Sequence, residues 1–316
     1  MDQYASILRQ AVLRENGFGA ELASLRRAWA RLLIEVAAGD AAGAISILET
    51  NARQSEIAAA SINAGCLIAH REVTRRIGEQ ALPGIGPQLA VLGLGRLSGG
   101  GLDYGSDLDL ILVYADQPVD PVGALSRAEL MALFTELFVA TLSSVTREGQ
   151  LYRVDLRLRP DGKNGALATP ARAFLEYVQE RAVIWEWLAY VKLRAVGGDL
   201  ELGRSVEDAA RAAVHQRARR EVTVEQLSNE TKRVRERLEH ERRRSGAGGA
   251  MDIKYGPGGM LDVYFAVRFL QLKDGVLDEG ADRSTTSTIK RLRGVGSTER
   301  ERLHSSQRRL RLAENR

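Results

Sequence analysis

Cysteine is nearly missing from this 316-residue chain, and the single one, Cys66, rules out an internal disulfide and fits a reducing compartment. It lies in an apolar stretch of helical pattern, INAGCLIAH, and reads as a small packing residue. No apolar run approaches the about 20 residues that a membrane span needs. The N-terminus, MDQYASILRQ, has neither the charged start nor the apolar core of a signal peptide. The cytoplasm is therefore the expected location, and a membrane is not an expected partner. Histidine is scarce too: His70, His215, His240 and His304 have no ligand-type spacing and are assigned no catalytic role. Two familiar phosphate motifs are also missing. GLGRLSGG contains no GxxxxGK[ST], and it fails GxGxxG because residue 98 is Ser and a strand, not a helix, is expected to follow.

What the chain does contain is ordinary for a soluble globular protein: 44% hydrophobic and 27% charged residues, at a length that allows one large or two modest domains. The basic isoelectric point, near 9.3, is local in origin. Residues 283–316 hold ten Lys or Arg against three Glu, a formal +7; the whole chain is +4, so residues 1–282 carry −3. A basic footprint confined to one segment is weak ground for a nucleic-acid partner, and none is expected. Leu303, Leu310 and Leu312 interrupt that segment at near-helical spacing, which reads as one wet helix face.

The informative stretch is GLGRLSGGGLDYGSDLDLILVY, residues 93–114. An apolar run (Leu89 to Leu94) enters a glycine-rich loop, which returns to a strand opening with Asp107 and Asp109. Alternation along that strand places both carboxylates on one face and Leu108, Leu110 and Leu112 on the other. Adjacent carboxylates repel and raise each other's pKa, and hard oxygen donors of this kind suit Mg²⁺. Glycines beside such a site let backbone N–H groups approach the phosphates that accompany the metal. The stretch reads as a nucleoside-triphosphate site; a solvated strand edge is the plainer alternative for Asp-x-Asp alone.

A third carboxylate strengthens the first reading. In LYRVDLRLRP, residues 151–160, a period of two puts Arg153, Asp155, Arg157 and Arg159 on one face and Val154, Leu156 and Leu158 on the other. Asp155 is either a further metal ligand with arginines nearby to neutralise phosphate, or one rung of a cross-strand ion-pair ladder. Three carboxylates suffice for two cations, one activating the attacking oxygen and one stabilising the leaving group.

Along the rest of the chain, Leu22, Leu25, Trp29, Leu32, Leu33 and Val36 follow helical spacing and are expected to face a core. Pro83-Gly84 and Gly86-Pro87 mark a boundary. Pro118 and Pro121 mark a loop within 115–124, and 126–146 reads as an amphipathic helix. From Pro170 onward mostly helices are expected, including a long charged one over 215–244 with Leu227, Val234 and Leu238 on one stripe, ended by Gly246–Gly249. Trp185, Trp187 and neighbouring aromatics are expected to pack in a core, with adenine stacking as the lesser alternative. In KYGPGGMLDVYF, Gly256, Gly258 and Gly259 precede an apolar helix whose free N–H groups would bind an anion, with Asp262 one turn in; a plain helix start is the alternative.

Gly95, an eleven-residue gap and Asp107-x-Asp109 together resemble the signature of the glutamate–ammonia-ligase adenylyltransferase family. YRVDLRLRPDGKNGAL (152–167), WEWLAYVKLRAVGGD (185–199) and DIKYGPGGMLDVYF (252–265) are similar to later family segments, in the same order. The likeness covers roughly residues 85–316. It implies an α+β fold: a small mixed nucleotidyltransferase-type sheet at 83–169, preceded by N-terminal helices (1–82) and followed by a helical region (170–316). It implies ATP as substrate, two Mg²⁺ ions on Asp107, Asp109 and Asp155, and transfer of AMP to a tyrosine of glutamine synthetase. Gly95, Arg96, Ser98, Gly99, Gly100 and Ser106 would hold the phosphates, with Arg157 and Arg159 adding charge. A PII-type signal protein is a further partner that the resemblance allows. The rival readings are phosphorolytic removal of AMP by the same carboxylates and a non-catalytic regulatory module. A nucleotidyltransferase for small molecules is more distant. Ser98 and Gly101 depart from the Gly and Glu usual in the family, and Tyr264 stands where a Glu usually follows the late glycines. The chain stops at RRLRLAENR inside a helical pattern, which suggests a piece of a two-unit protein.

Overall fold

The alanine-rich N-terminal segment folds into three helices, α1 (Asp2–Leu13), α2 (Phe18–Ala41) and α3 (Ile47–Ile77). The computed structural model describes residues 2–78, 88–116, 125–244, 252–280, 282–292, 296, 301–303 and 305–306. On α2, Leu22, Leu25, Leu32 and Val36 are buried, with Trp29 and Leu33 packed at the margin of the core, as their spacing requires. Ser46 caps α3 by accepting from the Glu49 N–H. Cys66 is free, and burial pushes its thiol up to about 12, so it stays protonated and serves packing.

A five-stranded sheet lies against these helices: β1 (Leu89–Gly93), β2 (Leu108–Tyr114), β3 (Val154–Asp155), β4 (Ala168–Pro170) and β5 (Arg194–Gly198). The order is β3-β2-β1-β5, with β4 also on β2. β1 is antiparallel to both β2 and β5, whereas β3 and β4 run parallel to β2, β3 beside its start and β4 beside its end. All five residues of β1 are buried, so the continuous apolar run Leu89–Leu92 is that of a central strand. Between β1 and β2 lies a one-turn helix, α4 (Gly95–Ser98), and after β2 comes α5 (Arg127–Ser143), which opens with a capping box formed by Ser126 and Glu129. The observed architecture is the expected α+β one.

Three sequence expectations change. The alternating segment 151–160 is strand only at Val154–Asp155; residues 157–161 form turns, and a 3₁₀ turn follows at Gly162–Asn164. The region after Pro170, expected to be mostly helical, also supplies a strand: α6 (Ala171–Glu176), a π turn (Tyr177–Arg181) and α7 (Ile184–Tyr190) give way to β5, which completes the sheet beside β1. The charged helix expected over 215–244 is two helices, α8 (Leu200–Arg220) and α9 (Val224–Arg244). The break has a local cause. Thr223 Oγ1 accepts from the Gln226 N–H at 3.1 Å while Gln226 Oε1 accepts from the Thr223 N–H at 2.8 Å, a reciprocal cap that starts a new helix.

The chain divides into two compact units, residues 1–177 with 193–209, and residues 178–192 with 210–316. The first contains α1–α5, α6 and the whole sheet. The second contains α7, the second half of α8, α9, α10 (Met260–Asp274) and α11 (Thr285–Arg291). In the second unit Trp187 is buried, donates through Nε1 to the Ala182 carbonyl at 3.0 Å, and carries the Arg217 guanidinium 4.7 Å from its ring centroid. With that face covered, Trp187 packs as expected. The proline boundary at 83–87, Pro118, Pro121, Gly246–Gly249, His304, Leu310, Leu312 and the chain end lie outside the described residues.

Candidate active site

β2 begins at Leu108, one residue later than expected, and burial alternates as the sequence requires: Asp107 exposed, Leu108 buried, Asp109 half-buried, Leu110 buried. The parallel pairing with β3 sets the site. Asp109 and Asp155 are direct register partners, next to Leu108 and Val154. Adjacent strands lie about 4.8 Å apart, so two carboxylates from different parts of the chain share one face at one edge. Leu108 N–H donates to the Arg153 carbonyl at 2.8 Å, which continues the ladder to the Asp107 level.

Gly95 meets Asp109 from the other side. Its φ of 59° is in the left-handed region, and a Cβ there would run into the Asp109 carboxylate. The Leu94 N–H donates to the Asp109 carbonyl at 3.0 Å. Gly95 is thus required twice, by backbone angle and by space.

The rest of the glycine turn, expected to hold phosphate, has many of its polar groups engaged in its own fold. Arg96 is ion-paired with Asp103 and is largely buried. Ser98 is fully buried, and its hydroxyl donates to the Gly95 carbonyl at 3.0 Å. Ser106 Oγ accepts from the Asp103 N–H at 3.1 Å. The N–H groups of Gly99 and Gly100 donate to the Leu97 carbonyl and that of Gly101 to the Arg96 carbonyl. These residues shape the loop. Helix α3 anchors it: Asn51 Nδ2 donates to the Leu102 carbonyl at 2.9 Å, and Ser55 Oγ accepts from the Leu102 N–H at 3.0 Å. From β5, Arg194 donates to the Ser98 carbonyl at 3.2 Å. Asn51, Ser55 and Arg194 did not stand out in the sequence. The signal for the first two was a pair of polar residues, four apart, on the buried face of an alanine-rich helix.

Of the arginines expected to share one face, only two reach the carboxylates. Arg153 Nε is 2.5 Å from Asp107 Oδ1, with the two side chains 69% and 48% exposed. Arg157 donates through Nε to both Asp155 oxygens, at 3.0 and 2.8 Å, and its backbone N–H to Oδ1 at 2.8 Å. Partial burial pulls the Asp155 carboxyl up, but the hydrogen bonds and charge of Arg157, with help from Lys163, outweigh it and hold the group below the usual aspartate range. Arg159 differs from the expectation: it is buried, and its guanidinium donates to the carbonyls of Leu156 (2.8 Å), Gly165 (3.2 Å) and Lys163 (3.2 Å). It folds the turn after β3, leaving Arg157 as the arginine of that turn that faces the carboxylates.

The donor set suits a hard divalent cation, since it consists of carboxylate oxygens with two of the three on register partners. As the side chains stand, Asp107 and Asp155 point to guanidinium groups, and among the described residues no three acidic, His or Cys side chains are grouped around one point.

The late glycine segment, in the second unit, closes on itself. Gly258 N–H donates to Asp262 Oδ2 at 2.5 Å, and Arg235 Nε binds Asp262 Oδ1 at 2.5 Å while its Nη2 donates to the carbonyls of Tyr255 and Gly256 at 2.8 and 2.9 Å. A Cβ at Gly259 would come within 2.5 Å of the Ile253 carbonyl oxygen and 2.7 Å of that of Gly256. The first N–H groups of α10 are also taken, Met260 donating to the Ile253 carbonyl at 2.9 Å and Leu261 to that of Lys254 at 3.1 Å, which favours the plain helix start over the anion site. Tyr264 lies under the Arg268 guanidinium, 5.2 Å from its ring centroid.

A small mixed sheet with acidic residues along one edge and a glycine-started turn against one of them, set among helices, defines an α+β protein of the nucleotidyltransferase type. The chain belongs to the glutamate–ammonia ligase adenylyltransferase family, whose model matches residues 1–209. Residues 209–316 match a second family model, GlnD PII-uridylyltransferase. Among curated proteins, the chain is similar to bifunctional glutamine synthetase adenylyltransferase/adenylyl-removing enzymes. That of Xanthobacter autotrophicus is 34% identical over 78% of this chain and 25% of its own length. Those of Streptomyces avermitilis and Streptomyces coelicolor are 32% and 33% identical over 94% and 93% of this chain and 29% and 28% of theirs. The chain thus spans less than a third of the length of these relatives. No described helix is long and apolar enough to cross a membrane.

Proposed function

We propose that this chain transfers AMP from ATP to a tyrosine hydroxyl of glutamine synthetase. The observation that carries the reading is the pairing of Asp109 with Asp155 across β2 and β3, with Gly95 turned against Asp109. Asp107, Asp109 and Asp155 would hold two Mg²⁺ ions. When bound, these ions would supply positive charge for the attacking oxygen and for the departing pyrophosphate. The turn Gly95–Gly100, whose three glycines carry no side chain, would let the triphosphate come close to the backbone. Asp155, beside the ion nearest the attacking oxygen, would help the incoming hydroxyl lose its proton. Arg157 would add positive charge where negative charge develops. The names of the relatives support glutamine synthetase as the acceptor, and the match of residues 209–316 supports a PII-type protein as a partner.

A second reading, phosphorolytic removal of AMP by the same carboxylates, is favoured by one fact: the relatives are named for both activities. Mass spectrometry of glutamine synthetase tests both. A gain of one AMP on incubation with ATP and Mg²⁺ supports transfer. Phosphate-dependent loss of AMP from modified enzyme, with no gain from ATP, replaces it with removal.

A further inference from the structure

We propose that Arg153 and Arg157 are exchange cations: each competes with a divalent metal ion for its carboxylate and, once displaced, binds the phosphates of the nucleotide. The inference rests on the reading of Asp107, Asp109 and Asp155 as the metal and nucleotide site.

Three features carry it. First, the two arginines occupy two of the three carboxylates and do so in different ways. Arg153 pairs across the β2–β3 edge with Asp107, and Arg157 reaches back two residues along its own chain to Asp155. Second, both guanidinium groups are exposed, 69% for Arg153 and 71% for Arg157, whereas Asp155 is only 19% exposed. Nothing has to unfold for either arginine to leave, and exposed ion pairs of this kind are weak. Arg159 makes the contrast: buried and bound to three carbonyls, it is not free to move. Third, two divalent ions overcharge the site unless a nucleotide enters with them. Asp107, Asp109 and Asp155 with Arg153 and Arg157 carry a formal −1; two divalent ions take this to +3, and a triphosphate of −4 returns it to −1. A bare divalent ion that enters must release guanidinium groups into water, where they gain no partner. A metal–triphosphate complex brings the anionic oxygens that the released guanidinium groups can bind in planar, two-pronged fashion.

The consequence is coupling. Metal and nucleotide each bind more tightly when the other is present, and the factor is the same in both directions because linkage is reciprocal. Arg153 acquires a role that the sequence pattern alone did not give it, as a positioning residue that keeps Asp107 from holding a metal ion before the nucleotide arrives.

The test uses the full chain and Mn²⁺ as probe, its free concentration read by electron paramagnetic resonance with and without ATP. Removing an exposed pair should tighten binding of the bare ion about two- to fivefold in Arg153→Ala and in Arg157→Ala. The same variants should bind ATP in the presence of Mn²⁺ about tenfold or more weakly, through loss of a charge-assisted bond to phosphate. Arg153→Lys should recover part of the nucleotide affinity. Far-ultraviolet circular dichroism and a melting curve for each variant identify any that fail to fold, and the other arginine then carries the measurement. Bare Mn²⁺ bound no more tightly by either alanine variant overturns the exchange, while the site reading survives if Asp109→Asn still abolishes binding of Mn²⁺ with ATP. Absence of binding by the unaltered chain, with and without ATP, overturns both.

Discussion

Replacement of Gly95 by alanine separates what a glycine does for the fold from what it does for the site. The residue has φ 59°, and an added Cβ would meet the Asp109 carboxylate. Holding alanine in the left-handed region costs about 1–2 kcal/mol. The collision itself is with the far end of a side chain, which can swing aside, so it adds little to unfolding. For a chain of this size about 1–2 kcal/mol lowers the melting temperature by roughly 2–8 °C. The chemical effect should be much larger. A reacting group misplaced by about 1 Å costs on the order of a hundredfold in rate, and Asp109 must move by about that much to make room. Gly95→Ala should therefore melt only slightly below the unaltered chain and lose about a hundredfold in AMP transfer, measured with α-labelled ATP. A double variant completes the argument. With Asp109→Ala already in place, Gly95→Ala should cost only the backbone part of its stability loss, because the clashing partner is gone. Unchanged turnover in Gly95→Ala would refute the coupling of this glycine to Asp109.

Other outcomes follow from particular contacts. Asp155→Asn should abolish or nearly abolish transfer while changing stability by about 1 kcal/mol or less, because its pairing with Arg157 is at an exposed edge; a large drop in melting temperature with normal turnover would make Asp155 structural. Gly259→Val should destabilise the second unit by about 2 kcal/mol or more, since its side chain would press on the carbonyls of Ile253, Gly256 and Lys254; thermal melting checks this, and weaker phosphate binding without a melting change would restore the anion site. His215 is buried, neither ring nitrogen has a hydrogen-bond partner, and burial together with Arg211 and Arg219 lowers its pKa to about 4. Because the folded value lies below the ordinary one of about 6.5, the unfolded chain takes up the proton first. Stability should fall between pH 6.5 and 4, by about 3 kcal/mol at most, and His215→Leu should flatten that part of the melting-temperature profile.

The sequence by itself determined the elements whose pattern is local. The apolar spacing on α2, the central strand Leu89–Gly93, the alternation from Asp107 to Leu110 and the capping box at Ser126 each follow from residues within a few positions of one another. The three aspartates stood out as candidates for the same reason, since alternation is local, whereas Gly95 stood out through the spacing that resembles the family's signature. Where local patterns compete, the tertiary structure decided. Arg153, Asp155, Arg157 and Arg159 alternate equally well, yet only Val154–Asp155 finds a strand partner in β2, so the chain turns at once and Arg159 is drawn inward to satisfy carbonyls that have left the ladder. Arg194–Gly198 looked like the tail of a helix and became a strand because the open edge of β1 offered it hydrogen bonds that no local signal announces. The anchoring of the glycine loop by Asn51 and Ser55 links residues about fifty positions apart. Spacing places chemistry on a segment of chain, but which segments meet, and which charged groups are spent on the fold rather than left at the site, is settled only when every buried polar group has found its partner.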